Sequence, residues 1–257
     1  MTTARLYLLL LCGVLCLAGC GSNRSNSDTP APDTAQGTAA SETPRPADTT
    51  SGDRTRPGST NETVSGLRVL VLGNSIAAGS GVSPQEAFPA RLQEKVDSLD
   101  WNVTVQNAGV SGETTAGGLR RIGWLLNRPV DVLLLELGGN DGLRGVDLSE
   151  TRDNLTAIID TTLATHPEAR VLLAGMQIPP NLGPDYTERF REMYPAIAQQ
   201  YGRVTLIPFI LQNVATVDSL MQDDGIHPTA AGHRRVAKNV WEYLRPMLDE
   251  MQARNPA

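Results

Sequence analysis

Cysteine is nearly missing from this 257-residue sequence: its three copies, Cys12, Cys16 and Cys20, all lie at the very start. Past them no disulfide, thiolate metal site or cysteine nucleophile can form. Whatever folds there must be held by its apolar core alone. Positions 21 to 65 contain no Leu, Ile, Phe, Tyr or Trp. Such a stretch cannot bury enough surface to offset the entropy of ordering it, so it reads as a disordered tether. Histidine is scarce as well, at His166, His227 and His233, which makes the search for an imidazole base short. The basic residues form no stripe, the aromatics form no platform, and the formal net charge is -6. Nucleic acid is therefore not an expected partner. No internal repeat is visible.

What is present begins with MTTARLYLLLLCGVLCLAGC: one basic residue, Arg5, then an unbroken apolar run. The run is short for a bilayer span and has the proportions of a signal-peptide core. Its end, Leu17-Ala18-Gly19-Cys20, resembles the lipobox of bacterial lipoproteins. The resemblance implies cleavage before Cys20 and acylation of that residue, anchoring the protein to a lipid membrane. By resemblance to lipoprotein sorting in Gram-negative bacteria, Gly21 rather than Asp after the cysteine favours an outer-membrane location facing the periplasm. An uncleaved anchor and plain secretion are the alternatives. The Asn-x-Thr triplets at Asn61, Asn102 and Asn154 are taken as coincidence in a bacterial envelope protein. The expected division is a leader over 1–19, a lipidated cysteine and linker over 20–65, one domain over 66–250 and a tail over 251–257.

Within that domain, five apolar runs predict strands: Leu67 to Leu72, Val103 to Gln106, Val130 to Leu137, Arg170 to Ala174 and Val204 to Ile207. DVLLLELG is the plainest, nearly continuous in Leu and Val, as a strand covered on both faces should be. Helical stretches alternate with the runs. SPQEAFPARLQEKVDSL predicts a helix with Ser83 as N-cap, Pro84 first and Glu86 three past the cap. TAGGLRRIGWLL, LSETRDNLTAIIDTTLAT, PDYTERFREMYPAIAQQY and TAAGHRRVAKNVWEYLRPML predict the others, with Pro195 a candidate kink. This alternation predicts an α/β fold, a mostly parallel five-stranded sheet between two helical layers. Ligands bind beyond the carboxyl ends of such strands. That rim would carry Ser75, Gly109, Asn140 and Gln177 on successive loops.

LVLGNSIAAG leaves the first strand through Gly-Asn-Ser, a corner that is either a plain turn or the seat of a nucleophile. A serine hydroxyl needs a base. His166 follows a helix and precedes Pro167, the place of a C-cap or surface residue. His233 lies in the last helix beside Arg234 and Arg235 and reads as solvated. His227 lies in DDGIHP, just before a helix capped by Thr229. The carboxylate of Asp224 can fold back onto its Nδ1 and leave Nε2 for Ser75 Oγ. By itself that spacing fits an ordinary hydrogen-bonded loop equally well, and Asp223, or no carboxylate, remains the alternative. An oxyanion needs donors. The Ser75 N–H, the Gly109 N–H in NAGVSG and the Asn140 side chain in LGGNDG are the candidates.

Taken in order, these blocks resemble the SGNH, or GDSL, hydrolase family over about 68 to 248, in its bacterial branch of thioesterases, lysophospholipases and arylesterases. GNSIAAG matches the first block, NAGVSGETTAGG the second, GGND the third and DDGIH the last. The resemblance implies a flavodoxin-like three-layer sandwich and a serine esterase with Ser75, Asp224 and His227 catalytic. Ser75, Gly109 and Asn140 would form the oxyanion hole, and no metal or other cofactor would be required. It also makes the loop from Met176 through Ile178, Pro179 and Leu182 substrate-lining, the alternative being that Ile178 and Leu182 only pack the loop down; Phe209, after the fifth strand, is a candidate for the opposing wall. Small-molecule acyl esters of short to medium length, aryl esters, thioesters and lysophospholipids are the implied substrates. A glycan deacetylase or acyltransferase, and a non-catalytic envelope binding protein, are the competing readings. One position departs: the family has Asp before the serine, and here it is Asn74.

Overall fold

A computed structural model describes residues 66–254. The leader and tether assigned to 1–65, with Cys20, and the last three residues lie outside the described residues. Five parallel strands form one sheet in the order β2-β1-β3-β4-β5. They are β1 (Leu67–Gly73), β2 (Val103–Asn107), β3 (Val132–Glu136), β4 (Arg170–Ala174) and β5 (Val204–Ile207). The helices are α1 (Ser75–Ala78), α2 (Phe88–Asp97), α3 (Thr115–Leu125), α4 (Gly139–Arg144), α5 (Leu148–Thr165), α6 (Pro184–Ala198) and α7 (Ala230–Arg254). β3 is buried at every position, as its unbroken apolar run requires of a strand covered on both faces. Helix α2 packs on α7, while α5 packs on both α3 and α6. Trp101 and Trp241 stack at 6.0 Å beside the α2–α7 contact, with Lys95 over the Trp241 ring. No helix among the described residues is long and apolar enough to cross a membrane.

The strand order reverses direction between β1 and β3, and in open α/β sheets the crevice at such a switch point receives ligand. Ser75 follows β1 at that crevice. The register places Gly73, the last residue of β1, opposite Glu136, the last of β3.

Three details differ from the sequence expectation. Helix α2 starts at Phe88, not near Ser83. Ser83 and Glu86 do bond reciprocally, but they close a separate turn. A helix begun at Pro84 would carry Pro89 in its interior, where proline breaks the ladder. The domain end expected at 250 falls inside α7, which continues to Arg254. His233, expected in solvent, is fully buried. Its Nδ1 accepts the Phe88 N–H at 3.2 Å, so the proton sits on Nε2. Burial, and then the neighbouring His227, push its pKa down to about 4. It is a neutral strut between α7 and the start of α2. His166 caps α5, its Nε2 against the Leu126 carbonyl at 3.1 Å.

Candidate active site

The chain leaves β1 through Asn74, whose Oδ1 accepts the Ile76 N–H at 2.9 Å and so caps the single turn of α1. That turn presents Ser75 at its first position. Ser75 Oγ lies 2.9 Å from His227 Nε2, across 152 residues of sequence. His227 Nδ1 donates to Asp224 Oδ2 at 2.6 Å. The other Asp224 oxygen accepts the N–H groups of Ile226 and His227 at 2.8 and 2.9 Å. These bonds hold the Asp224 carboxyl down at about 2, the His227 ring bond contributing most. An ionised carboxylate on Nδ1 fixes the tautomer whose Nε2 is free to accept a proton. The carboxylate on the ring is Asp224, and Asp223 has no part in that bond.

The histidine loop is fixed to the Ser75 side of the crevice by Gln222, which nothing in the sequence singled out. Its amide donates to the Ser80 and Pro228 carbonyls, each at 2.8 Å, and its N–H donates to the His227 carbonyl. Gly81 lets that side chain lie flat: a Cβ there would strike the Gln222 amide. The useful signal was QDDGIHP as a unit, a polar amide opening a loop that closes on itself.

Asn140 stands second in α4, and its amide donates to the Glu113 carbonyl at 2.9 Å. A primary amide has a second hydrogen, which stays available for the crevice. Glu113 is in turn gripped by Arg121, whose guanidinium also bonds the Ala108 carbonyl at 2.6 Å. Next to Asn140, the buried Asp141 accepts from the Thr115 N–H and hydroxyl at the start of α3. The Gly109 N–H, expected to face the oxyanion, instead donates to Asn107 Oδ1 at 2.9 Å, and Asn107 also bonds the Ala77 carbonyl. Glycine is required at 109 by close packing, because a Cβ would run into the backbone of Ala77 and Ala78. Gly112, with φ +77, sits between Ser111, bonded to Ser80 at 2.6 Å, and Glu113, which holds Asn140.

The residues expected to line the acyl pocket divide. Met176 and Ile178 are drawn into the core, at 4% and 8% exposure. Ile178 packs against Gly142 of α4 beside Phe190, so neither offers surface to a substrate. Pro179 is exposed, as is Leu182, which faces Gly145 at the end of α4. Phe209 lines a separate cavity of about 290 Å³ with Arg235 and Tyr243. Four exposed apolar side chains do sit on the elements that carry the site or abut them: Val110, Leu143, Leu182 and Ile226.

Residues 71–235 match the model of the GDSL-like Lipase/Acylhydrolase family. "Esterase TesA" of Pseudomonas aeruginosa is 42% identical over 181 residues, 70% of this chain and 89% of that protein. "Thioesterase 1/protease 1/lysophospholipase L1" of Escherichia coli K12 is 37% identical over 182 residues, covering 70% and 85%. A solved structure of TesA superposes with a TM-score of 0.66 at 41% identity, over 70% of this chain and 99% of that one.

Proposed function

The chain belongs to the GDSL-like lipase/acylhydrolase family and is a serine ester hydrolase, and on that premise we propose how its residues share the reaction. Ser75 Oγ attacks the acyl carbonyl as His227 Nε2 takes its proton. Asp224 holds Nδ1–H and stabilises the imidazolium. The negative oxygen rests on the Ser75 N–H and the second amide hydrogen of Asn140. The third donor is the Gly112 N–H, since that of Gly109 is engaged by Asn107. One such donor is worth about 3 kcal/mol of transition-state stabilisation. His227 then protonates the departing alcohol or thiol, and water activated by the same imidazole releases the acid. The observation that carries this reading is the unbroken relay Ser75–His227–Asp224, at 2.9 and 2.6 Å.

The substrates we assign are short to medium acyl esters and aryl esters, with thioesters and lysophospholipids accepted by the same site. Support comes from the exposed apolar side chains Val110, Leu143, Leu182 and Ile226 on the elements that carry the site or abut them. Exposed apolar contacts of this kind grip a chain loosely and rank lengths weakly, by about 1 to 3 kcal/mol per methylene at most. A series of p-nitrophenyl esters from acetate to palmitate, run on the full-length chain, should give the highest kcat/KM in the acetate-to-octanoate range. A maximum at palmitate overturns the assignment. Acyl transfer to an added alcohol or sugar that outruns hydrolysis reassigns the protein as a transferase.

We further propose that Cys20 is acylated and tethers the domain to the bacterial envelope, on its outer membrane. The Leu17-Ala18-Gly19-Cys20 stretch supports this. A clickable palmitate analogue fed to expressing cells should label the wild type and leave Cys20→Ser unlabelled; equal labelling of both removes the anchor.

A further inference from the structure

Beneath the nucleophile lies a carboxyl group that the reaction as described does not use. Glu136 ends β3, is fully buried, and points at the turn that carries Ser75. Its Oε2 accepts the Asn74 N–H at 3.0 Å and the Ala77 N–H at 3.2 Å, so one oxygen holds the backbone on both sides of Ser75. Gly73 makes the approach physically feasible: a Cβ there would meet both Glu136 Oε2 and the Ala77 methyl at 2.5 Å. The other oxygen, Oε1, has no hydrogen-bond partner. The Asn74 side-chain amide is a neighbour of this carboxyl.

Two N–H groups of a tight turn, buried beside a strand end, need an acceptor, and leaving them unpaired is costly. The carboxyl supplies the acceptor from the neighbouring strand. An ionised carboxylate in that position would be a poor choice. It would lie buried with one oxygen unpaired, and its charge would stand close to the Ser75 N–H on which the oxyanion must form. A protonated one provides the acceptor without the charge. Asn74 suits that arrangement: with the family's Asp at 74, two carboxyls would share one buried site and compete for a proton.

We propose that Glu136, kept neutral with Asn74 as its amide neighbour, is a positioning residue that fixes the Ser75 turn and leaves the field at the oxyanion undisturbed. The inference rests on the assignment of Ser75 as nucleophile. Burial pushes the Glu136 pKa up to about 8, against the pull of the bonds from Asn74 and Ala77. The other titratable groups around this end of β3 are Tyr194 on α6 and Asp141 on α4. Tyr194, which donates to the Leu137 carbonyl, is raised well above the usual phenol range, first by burial, and stays neutral. Asp141 is bonded to Thr115.

The test compares wild type, Glu136→Gln and Glu136→Leu in the full-length chain, with kcat and KM for p-nitrophenyl butyrate from pH 5.5 to 9.5. Glu136→Gln keeps an uncharged carbonyl acceptor, so its kcat should stay within about threefold of wild type at pH 7, whereas Glu136→Leu should lose about ten- to a hundredfold in kcat with KM unchanged, the scale of a nucleophile misplaced from a distance. In wild type, kcat should fall as pH rises through about 8, where Glu136 ionises; in Glu136→Gln that fall should be gone. A Glu136→Gln profile that superimposes on wild type, or a Glu136→Leu enzyme with wild-type kcat, overturns the proposal. If Glu136→Leu does not fold, the Glu136→Gln profile decides alone. Stoichiometric labelling of wild-type Ser75 by an organophosphonate is measured in parallel. Absence of labelling there means that the nucleophile assignment has failed, whereas normal labelling with unaltered Glu136 variants sinks only this inference.

Discussion

Ser75→Ala is expected to lower kcat by about 10⁴-fold or more while leaving the fold intact, because the oxyanion donors and substrate binding alone retain only a small residue of catalysis. The hydroxyl is half-buried at the first position of α1 and bonds to His227. Removing it disturbs nothing in the core: α1 is capped by Asn74 Oδ1, and the turn is held from below by Glu136. The variant should therefore melt at nearly the wild-type temperature. The decisive measurement is intact mass after treatment with an organophosphonate ester. Wild type should gain one adduct and Ser75→Ala none. An adduct of full stoichiometry on the variant would place the nucleophile elsewhere.

Asp224→Asn should reduce kcat by about 10³- to 10⁴-fold, more than the loss of one hydrogen bond implies, because it locks the imidazole in the wrong tautomer. One oxygen of Asp224 accepts two backbone N–H groups, from Ile226 and His227, and the other accepts His227 Nδ1–H. An asparagine must satisfy the two backbone donors with its only oxygen. Its NH₂ then faces Nδ1, which can accept it only without a proton. The proton moves to Nε2, and Nε2 can no longer take one from Ser75. Asp224→Ala, which leaves the ring free to rotate its proton, should be less damaged than Asp224→Asn, and equal rates in the two variants would remove the tautomer argument. The carboxyl of Asp224 is held at about 2 by these same bonds. It stays ionised as pH falls to that level, so an acidic loss of activity above pH 4 does not report Asp224.

How far the sequence could be read followed from how local the determinant was. β4 and β5 appear at the expected residues because buried parallel strands are written as short apolar runs bounded by polar ones. α5 begins after Asp147, whose carboxylate caps Ser149, and its apolar spacing spans the whole helix. The serine, histidine and aspartate were legible because each sits in a short motif. Helices α1 and α4 were not, since four and six residues carry no helical period. His233 was misjudged because its neighbours Arg234 and Arg235 look solvated; what buries it is the Phe88 N–H, 145 positions away. Glu136 lies inside DVLLLELG, where one acid in an apolar strand carries no local sign of its role. Its meaning lies in the register with Gly73. The lining expected of Met176 and Ile178 failed for a related reason. Apolar residues on a loop signal burial without saying whether a ligand or the core does the burying.

The separation of 152 positions between Ser75 and His227 has a bearing on synthesis. Ribosomes deliver the chain from its amino end, and early segments can fold before late ones emerge. The serine is therefore made long before the imidazole we propose as its base, and Gln222, which closes the gap, arrives only with the closing stretch. Until that stretch docks, the hydroxyl is an ordinary alcohol. On the proposed assignment a half-finished molecule carries no activated nucleophile, and turnover reports that synthesis has passed His227.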